Sequence, residues 1–238
     1  MSILTYPAHL RRALQAIATR ILPGHCLLCA ADSRDDLLCA ACNADLPPMP
    51  ASGCPHCADR TTHGERCGAC LKDPPFFDHT IACFHYDFPV DRIIHALKYG
   101  HQLAVASWCG RQLARRIATL EFDTIIPLPL HPDRLRERGF NQSGEIAKSV
   151  AGSTGIRLDR ESLVRIRATM PQADLPHRER QGNVRGAFEC RGDLSGKHVL
   201  LVDDVMTTAA TANECARVLK LHGAASVTVG VMARALKT

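Results

Sequence analysis

Two adjacent carboxylates followed by a cluster of hydroxyls are the residues of this chain best suited to hold a phosphorylated sugar. Asp203 and Asp204 precede Thr207, Thr208 and Thr211, with the small Ala209 and Ala210 between them. Small residues and hydroxyls around a helix N-terminus surround amides that point outward, which makes an anion cradle. Carboxylates beside such a cradle repel a phosphate unless ribose hydroxyls or a magnesium ion take them up. A sugar phosphate with free hydroxyls and further phosphates meets both demands.

The elements that must position these residues are legible on either side. Val199, Leu200, Leu201 and Val202 form an apolar run with β-branched ends, the pattern of a strand buried on both faces of a parallel sheet. Ala212, Cys215, Ala216 and Leu219 then recur at helical spacing, and His222-Gly223 supplies a stop, so a helix begins near Thr211. A second strand, loop and helix precedes it. Thr124 to Leu130 reads as a strand, Arg134, Arg136 and Arg138 crowd the following loop, and Asn141 caps a helix from Gln142 to about Val150.

Ligands of open α/β sheets collect at the carboxyl ends of strands, so both loops can face one pocket. Forked guanidinium groups suit pyrophosphate oxygens, although a solvated basic loop without a ligand is the plain alternative for 134–138 taken alone. Between 165 and 188 no apolar period is sustained. Arg165, Arg167, Thr169, Gln172, His177, Arg178 and Asn183 suggest a mobile lid that closes over an activated sugar and excludes water. Thr80 to Tyr86 reads as a strand and Pro89 opens a short helix ending at Lys98-Tyr99-Gly100. Leu103 to Leu120 reads as a longer helix and Ala225 to Met232 as a last strand.

A second chemistry lies in the cysteines. Cys26, Cys29, Cys39 and Cys42 recur as Cys54, Cys57, Cys67 and Cys70, each displaced by 28 residues. Each unit offers the four thiolates of a closed tetrahedral structural zinc site, so two zinc ribbons are the natural reading. Spacing alone also permits interleaved pairs, the first and third sharing one zinc. A redox role is less suited, because no thioredoxin-like unit follows the CxxC pairs. His25 and His56 stand beside ligand positions but are not needed where four cysteines complete the set. Cys83, Cys109, Cys190 and Cys215 lack partner spacing and read as core or half-buried thiols.

The chain of 238 residues has room for one medium domain with an appendage, or two small ones. Its formal charge of +5 suits phosphate-bearing ligands but falls short of the dense basic tracts of a dedicated nucleic-acid binder. With 5% aromatic residues, stacking platforms for single strands are few. No secretory signal or apolar run of membrane-spanning length is visible, so a soluble protein is expected. Arg11, Arg12 and Arg20 without an acid superficially resemble a transit peptide. The stripe Leu10, Leu14, Ile17, Ala18 and Ile21 instead favours an amphipathic packing helix over 1–24. Lys72-Asp-Pro-Pro75 marks a stiff boundary, which divides the chain into that helix, a double zinc ribbon over 25–72 and a domain over 73–238.

The stretch from Val199 to Thr211 closely resembles the 5-phosphoribosyl 1-pyrophosphate (PRPP) motif of type I phosphoribosyltransferases, except that Ala209 stands where that family usually has glycine. The whole chain resembles the ComF/GntX family. The shared order is a double zinc ribbon, Leu97-Lys-Tyr99, Pro127 to Leu130, Arg134 to Gln142, Arg167-x-Thr169-x2-Gln172, Arg178-x4-Asn183 and the PRPP motif. The resemblance implies a mainly parallel α/β phosphoribosyltransferase fold behind the ribbon, two structural zincs, and magnesium arriving with PRPP. It implies ribose hydroxyls on Asp203 and Asp204, the 5-phosphate on Met206, Thr207, Thr208, Ala209, Ala210 and Thr211, and pyrophosphate toward Arg134 and Arg138. Lys98 and the lid's Arg167 and Arg178 become the candidate catalytic residues. The 165–185 segment resembles the flexible loop of amidophosphoribosyltransferases, but Cys26 is claimed by zinc, so glutamine hydrolysis is not expected. The family name implies a cytoplasmic role in competence, with single-stranded DNA and a competence helicase as partners.

Overall fold

The computed structural model describes residues 24–34, 36–100, 102–168 and 180–236. The helix expected before Gly24 therefore lies outside the described residues. Contacts divide the chain into two units, Met1–Leu46 and Pro47–Thr238.

In the first unit, β1 (Gly24–His25) pairs antiparallel with β2 (Asp32–Arg34), and α1 (Ala40–Ala44) comes next. The second unit opens with the same motif 28 residues on. A bridge between Gly53 and Arg60 repeats the pairing of His25 with Asp32, and α2 (Gly68–Lys72) repeats α1. The backbone bonds repeat as well. Ala30 N donates to Cys26 O and Ala58 N to Cys54 O, both at 2.9 Å, and both alanines have positive φ, 60° and 55°. The cysteine repeat is thus a repeat of turn geometry.

The rest of the second unit is a sheet with flanking helices. In chain order come β3 (His79–His85), α3 (Val90–Tyr99), α4 (Leu103–Arg116), β4 (Thr124–Pro127), α5 (Pro132–Arg138), α6 (Gln142–Thr154), β5 (Arg157–Leu158) and β6 (Leu163–Arg165). Next are α7 (Arg180–Val184), β7 (Phe188–Cys190), β8 (His198–Met206), α8 (Ala210–Leu221) and β9 (Ser226–Arg234). The main sheet has the order β3-β9-β8-β4-β5 with every pair parallel, while β6 and β7 form a separate antiparallel pair. Val199 to Val202 and Val227, Val229 and Val231 are fully buried, as expected of strands with helices on both faces. Cys83, Cys109, Cys190 and Cys215 are all buried.

Four expectations need correction. The basic loop at 134–138 is helical: His131 accepts from the Asp133 amide as N-cap, Pro132 occupies the first turn, and Gly139 closes α5 at φ 78°. Leu135 is its one apolar residue, so no hydrophobic stripe announced it. The strand from Thr124 ends at Pro127 rather than 130, and the helix from Leu103 ends at Arg116 rather than 120. The 165–188 region is not wholly irregular, since β6, α7 and β7 frame it. Its residues 169–179, with Thr169, Gln172, His177 and Arg178, lie outside the described residues.

Candidate functional site

The carboxyl ends of β4 and β8 are neighbours because the two strands pair in register, Pro127 opposite Val202. The segments leaving both strands therefore open on common ground, a cavity of about 710 Å³. Its wall includes Lys98, Arg134, Arg138, Asp203, Asp204 and residues 206–211. The structure thus brings together every PRPP-binding candidate named from the sequence, and Lys98 with them. Arg136 turns outward to Asp133 at 2.6 Å.

The acids close β8. Asp204 is buried and forms a 2.9 Å ion pair with Lys98 Nζ, at the end of α3. Burial opposes the charge on Lys98, but Asp204 and Asp203 outweigh it and hold its pKa above the usual lysine value. Asp203 Oδ1 accepts from Ser143 Oγ at 2.8 Å, in the first turn of α6. Burial and the neighbouring Asp204 carboxylate push the Asp203 pKa up to about 7, against the Ser143 bond and Lys98. One lysine thus faces two carboxylates, one firmly paired and one held near neutrality.

The turn after the acids rests on Ala209, which is in the left-handed region at φ 64°, ψ 2°, directly before α8. A Cβ makes this conformation unfavourable, and glycine adopts it without the clash. Ala209→Gly is therefore expected to raise stability by roughly 1 kcal/mol, read as a higher urea midpoint with unchanged slope. An unchanged or lower midpoint would show that packing of the Ala209 methyl against the core offsets the strain.

Opposite the turn, Arg138 donates from Nη1 to Gln142 Oε1 at 2.7 Å and stands 5.8 Å from the centroid of the Tyr99 ring. Tyr86, Tyr99, His131 and Gln142 also line the cavity, and sequence reasoning did not assign them to the site; Arg165, expected in the lid, lines it too. Gln142 and Ser143 begin a helix whose cap was recognised, so polar residues on its buried first turn were the available signal. Arg167 is placed differently. Its Nη2 donates to the carbonyls of Asn183 at 3.1 Å and Arg185 at 2.7 Å, so it braces the β6–β7 hairpin and is not on the cavity wall.

The cysteines gather as two consecutive sets, Cys26, Cys29, Cys39, Cys42 and Cys54, Cys57, Cys67, Cys70, with each set's sulfurs within 4.8 Å of one another. Four sulfurs about 2.3 Å from a central zinc lie roughly 3.8 Å apart. Cys29 and Cys39 stand at 3.7 Å and Cys57 and Cys67 at 3.6 Å, so both sets fit zinc. In each set burial raises the pKa of the first cysteine, but backbone amides outweigh it. They bring Cys26 down to about 6 and Cys54 to about 7, favouring the ligating thiolate. Two zincs per chain are expected by metal analysis. Cys29→Ser with Cys39→Ser should leave one, and Cys29→Ser with Cys57→Ser none; interleaved pairs would reverse those two results.

Comparison with known proteins agrees with this layout. The double zinc ribbon domain family matches residues 17–71 and the phosphoribosyl transferase domain family residues 143–238. DNA utilization protein YhgH of Escherichia coli O6:H1 is 37% identical over 191 residues, 77% of this chain and 84% of that protein. The chain belongs to the ComF/GntX family. Within it, YhgH of Salmonella typhimurium is 33% identical over 225 residues, spanning 90% of this chain and 99% of that one. Competence protein F of Haemophilus influenzae is 29% identical over 213 residues, 83% and 90% of the two chains. As a ComF/GntX member the chain carries a type I phosphoribosyltransferase-like sheet and cysteine clusters compatible with zinc ribbons. Among the described residues no helix is long and apolar enough to cross a membrane.

Proposed function

We propose that this chain binds PRPP in the cavity at the carboxyl ends of β4 and β8 and acts as a phosphoribosyltransferase. The observation that carries the reading is the convergence there of an acid pair, an anion-receiving turn and two arginines. The 5-phosphate would rest on the amides and hydroxyls of 206–211, and Asp203 and Asp204 would accept the ribose hydroxyls. Pyrophosphate would lie toward Arg134 and Arg138 on α5, whose fork geometry suits it. Lys98 holds Asp204 in place, and closure of the segment carrying Arg178 would shield C1 from water. Arg167 would join it only after leaving its two carbonyls.

Departure of pyrophosphate leaves positive charge on C1 and its ring oxygen, and charged groups already in place around the leaving group stabilise that state. Magnesium bound to pyrophosphate supplies further neutralisation of its charge. Because Lys98 already pairs with Asp204, the metal fits best as a passenger of the substrate's phosphates. Calorimetry with PRPP and magnesium tests the binding, and pyrophosphate release over a panel of bases, ammonia and DNA tests the transfer. Absence of binding by a zinc-replete protein would sink the reading.

A second reading is favoured by the relatives' names, which speak of DNA utilization and competence. In it the site is PRPP-responsive without turnover, and single-stranded DNA, delivered by a competence helicase, is a ligand. Tyr99, 62% exposed at the cavity beside Arg138, gives it one stacking surface. A salt-dependent gel shift of labelled single strands distinguishes a shared site, where PRPP competes, from a separate one.

A further inference from the structure

Arg234 closes β9 with only 2% exposure, a guanidinium at the end of a buried strand. Its Nε donates to the carbonyl of Cys57 at 2.8 Å. Its Nη1 donates to the carbonyls of Thr207 at 2.6 Å, Met206 at 3.3 Å and Ala235. One buried side chain therefore ties the second cysteine cluster to the turn beneath the candidate phosphate site. Cys54, Cys57 and Cys70 share a core cluster with Met206 and Ala210, so the two are packed together as well.

The bonds on the turn have a directional consequence. In a planar trans peptide the C=O and the following N–H point in opposite directions. Fixing the carbonyl of Thr207 on Arg234, and that of Met206 on Arg234 together with the Ala235 amide at 3.0 Å, turns the amides of Thr207 and Thr208 away from it, toward the cavity that these residues line. Among the described residues neither amide donates to another backbone group. The guanidinium thus aims two donors at an anion and places a positive charge behind them. On the other side, Cys57 belongs to the tight turn in which Cys54 N donates to Asp59 O at 2.8 Å. Ligation of the Cys54 and Cys57 thiolates sets where the Cys57 carbonyl stands.

We propose that Arg234 is a positioning residue that couples the second zinc cluster to the phosphate turn. Zinc on Cys54, Cys57, Cys67 and Cys70 holds the turn in its anion-receiving shape, and a phosphate held there slows the loss of that zinc, since coupling of two sites is reciprocal. The inference rests on the reading that 206–211 receives the phosphate of PRPP. Lysine cannot replace the residue, because a single ammonium does not offer the planar fork that reaches both carbonyl sets.

The test compares the full-length parent with Arg234→Lys and Arg234→Met, the lysine variant keeping the buried charge if the methionine variant fails to fold. Zinc content, far-UV circular dichroism, PRPP affinity in magnesium excess, and zinc release to a colorimetric chelator are measured. Both variants are expected to hold two zincs, to lose one of them faster than the parent, and to bind PRPP roughly tenfold to a hundredfold more weakly. In the parent, PRPP is expected to slow release of one zinc and leave the other unchanged; in the variants that protection disappears. Release from folded variants at the parent's rate overturns the coupling whether or not PRPP binds. Equal protection by PRPP in parent and variants overturns it too. If the parent itself binds no PRPP, the functional reading fails, and faster zinc release in the variants still supports the link from Arg234 to the cluster.

Discussion

Asp204→Ala is expected to cost the unliganded protein about 3 kcal/mol or more, while Asp203→Ala costs little or stabilises it, and each is expected to lose PRPP. The difference comes from their partners. Asp204 holds the Lys98 ammonium at 2.9 Å with side chains 5% and 24% exposed, so its removal strands a largely buried cation. Lys98 has a raised pKa, so the stabilisation from this pair is fully present below the ordinary lysine pKa and is lost only as pH rises through the higher folded value. The pair is therefore intact near neutrality. Asp203 has the opposite balance: burial and Asp204 oppose its charge more than Ser143 and Lys98 favour it.

Urea unfolding of the two single variants, Lys98→Ala and Lys98→Ala/Asp204→Ala measures these terms. The double variant should lose less than the sum of its singles, because each single leaves a buried charge unpaired. Equal costs for Asp203→Ala and Asp204→Ala would contradict the asymmetry. In calorimetry, Asp203→Ala/Asp204→Ala should show no PRPP binding while remaining folded. Retention of normal affinity by that folded double variant would remove the acid pair from the site.

Chemistry that lies in contiguous residues could be read from the sequence. The acid pair, the hydroxyl turn and the strand and helix around them are one uninterrupted stretch, and their roles in the fold derive from local pattern. The second acid's counter-ion comes from 106 residues earlier and the first acid's hydroxyl from 60 residues earlier, separations that periodicity does not bridge. Lys98 entered through family resemblance, and Ser143 was missed. Helix α5 escaped because capping by His131, Pro132 and Gly139, rather than an apolar stripe, defines it. The cysteine repeat was plain, but consecutive grouping needed the fold to bring each set of sulfurs together. Ala209 shows the limit most directly: the chain reveals an alanine in place of glycine, and only the turn reveals that the position has positive φ.

Affinity for PRPP should rise with pH through about 7, the folded pKa of Asp203, and this dependence should vanish in Asp203→Asn. The sign is set by proton balance. An ordinary aspartate ionises near 4, so between about 4 and 7 the folded, unliganded protein holds a proton that the unfolded chain has lost. Ionising Asp203 therefore lowers stability progressively across that window, and the cost is fully present above it. Ribose hydroxyls donating to the carboxylate favour its ionised form, so binding draws the pKa down and releases a proton. At pH 6 only about a tenth of the sites are ionised beforehand, and the affinity is expected to be roughly tenfold weaker than at pH 8. Calorimetry in buffers of differing ionisation enthalpy should show a released proton near pH 6 and almost none at pH 8. The phosphates of PRPP titrate as well, so the comparison is the difference between parent and Asp203→Asn at each pH. A difference that is flat from pH 6 to 8 would mean that Asp203 is not the group that accepts the ribose.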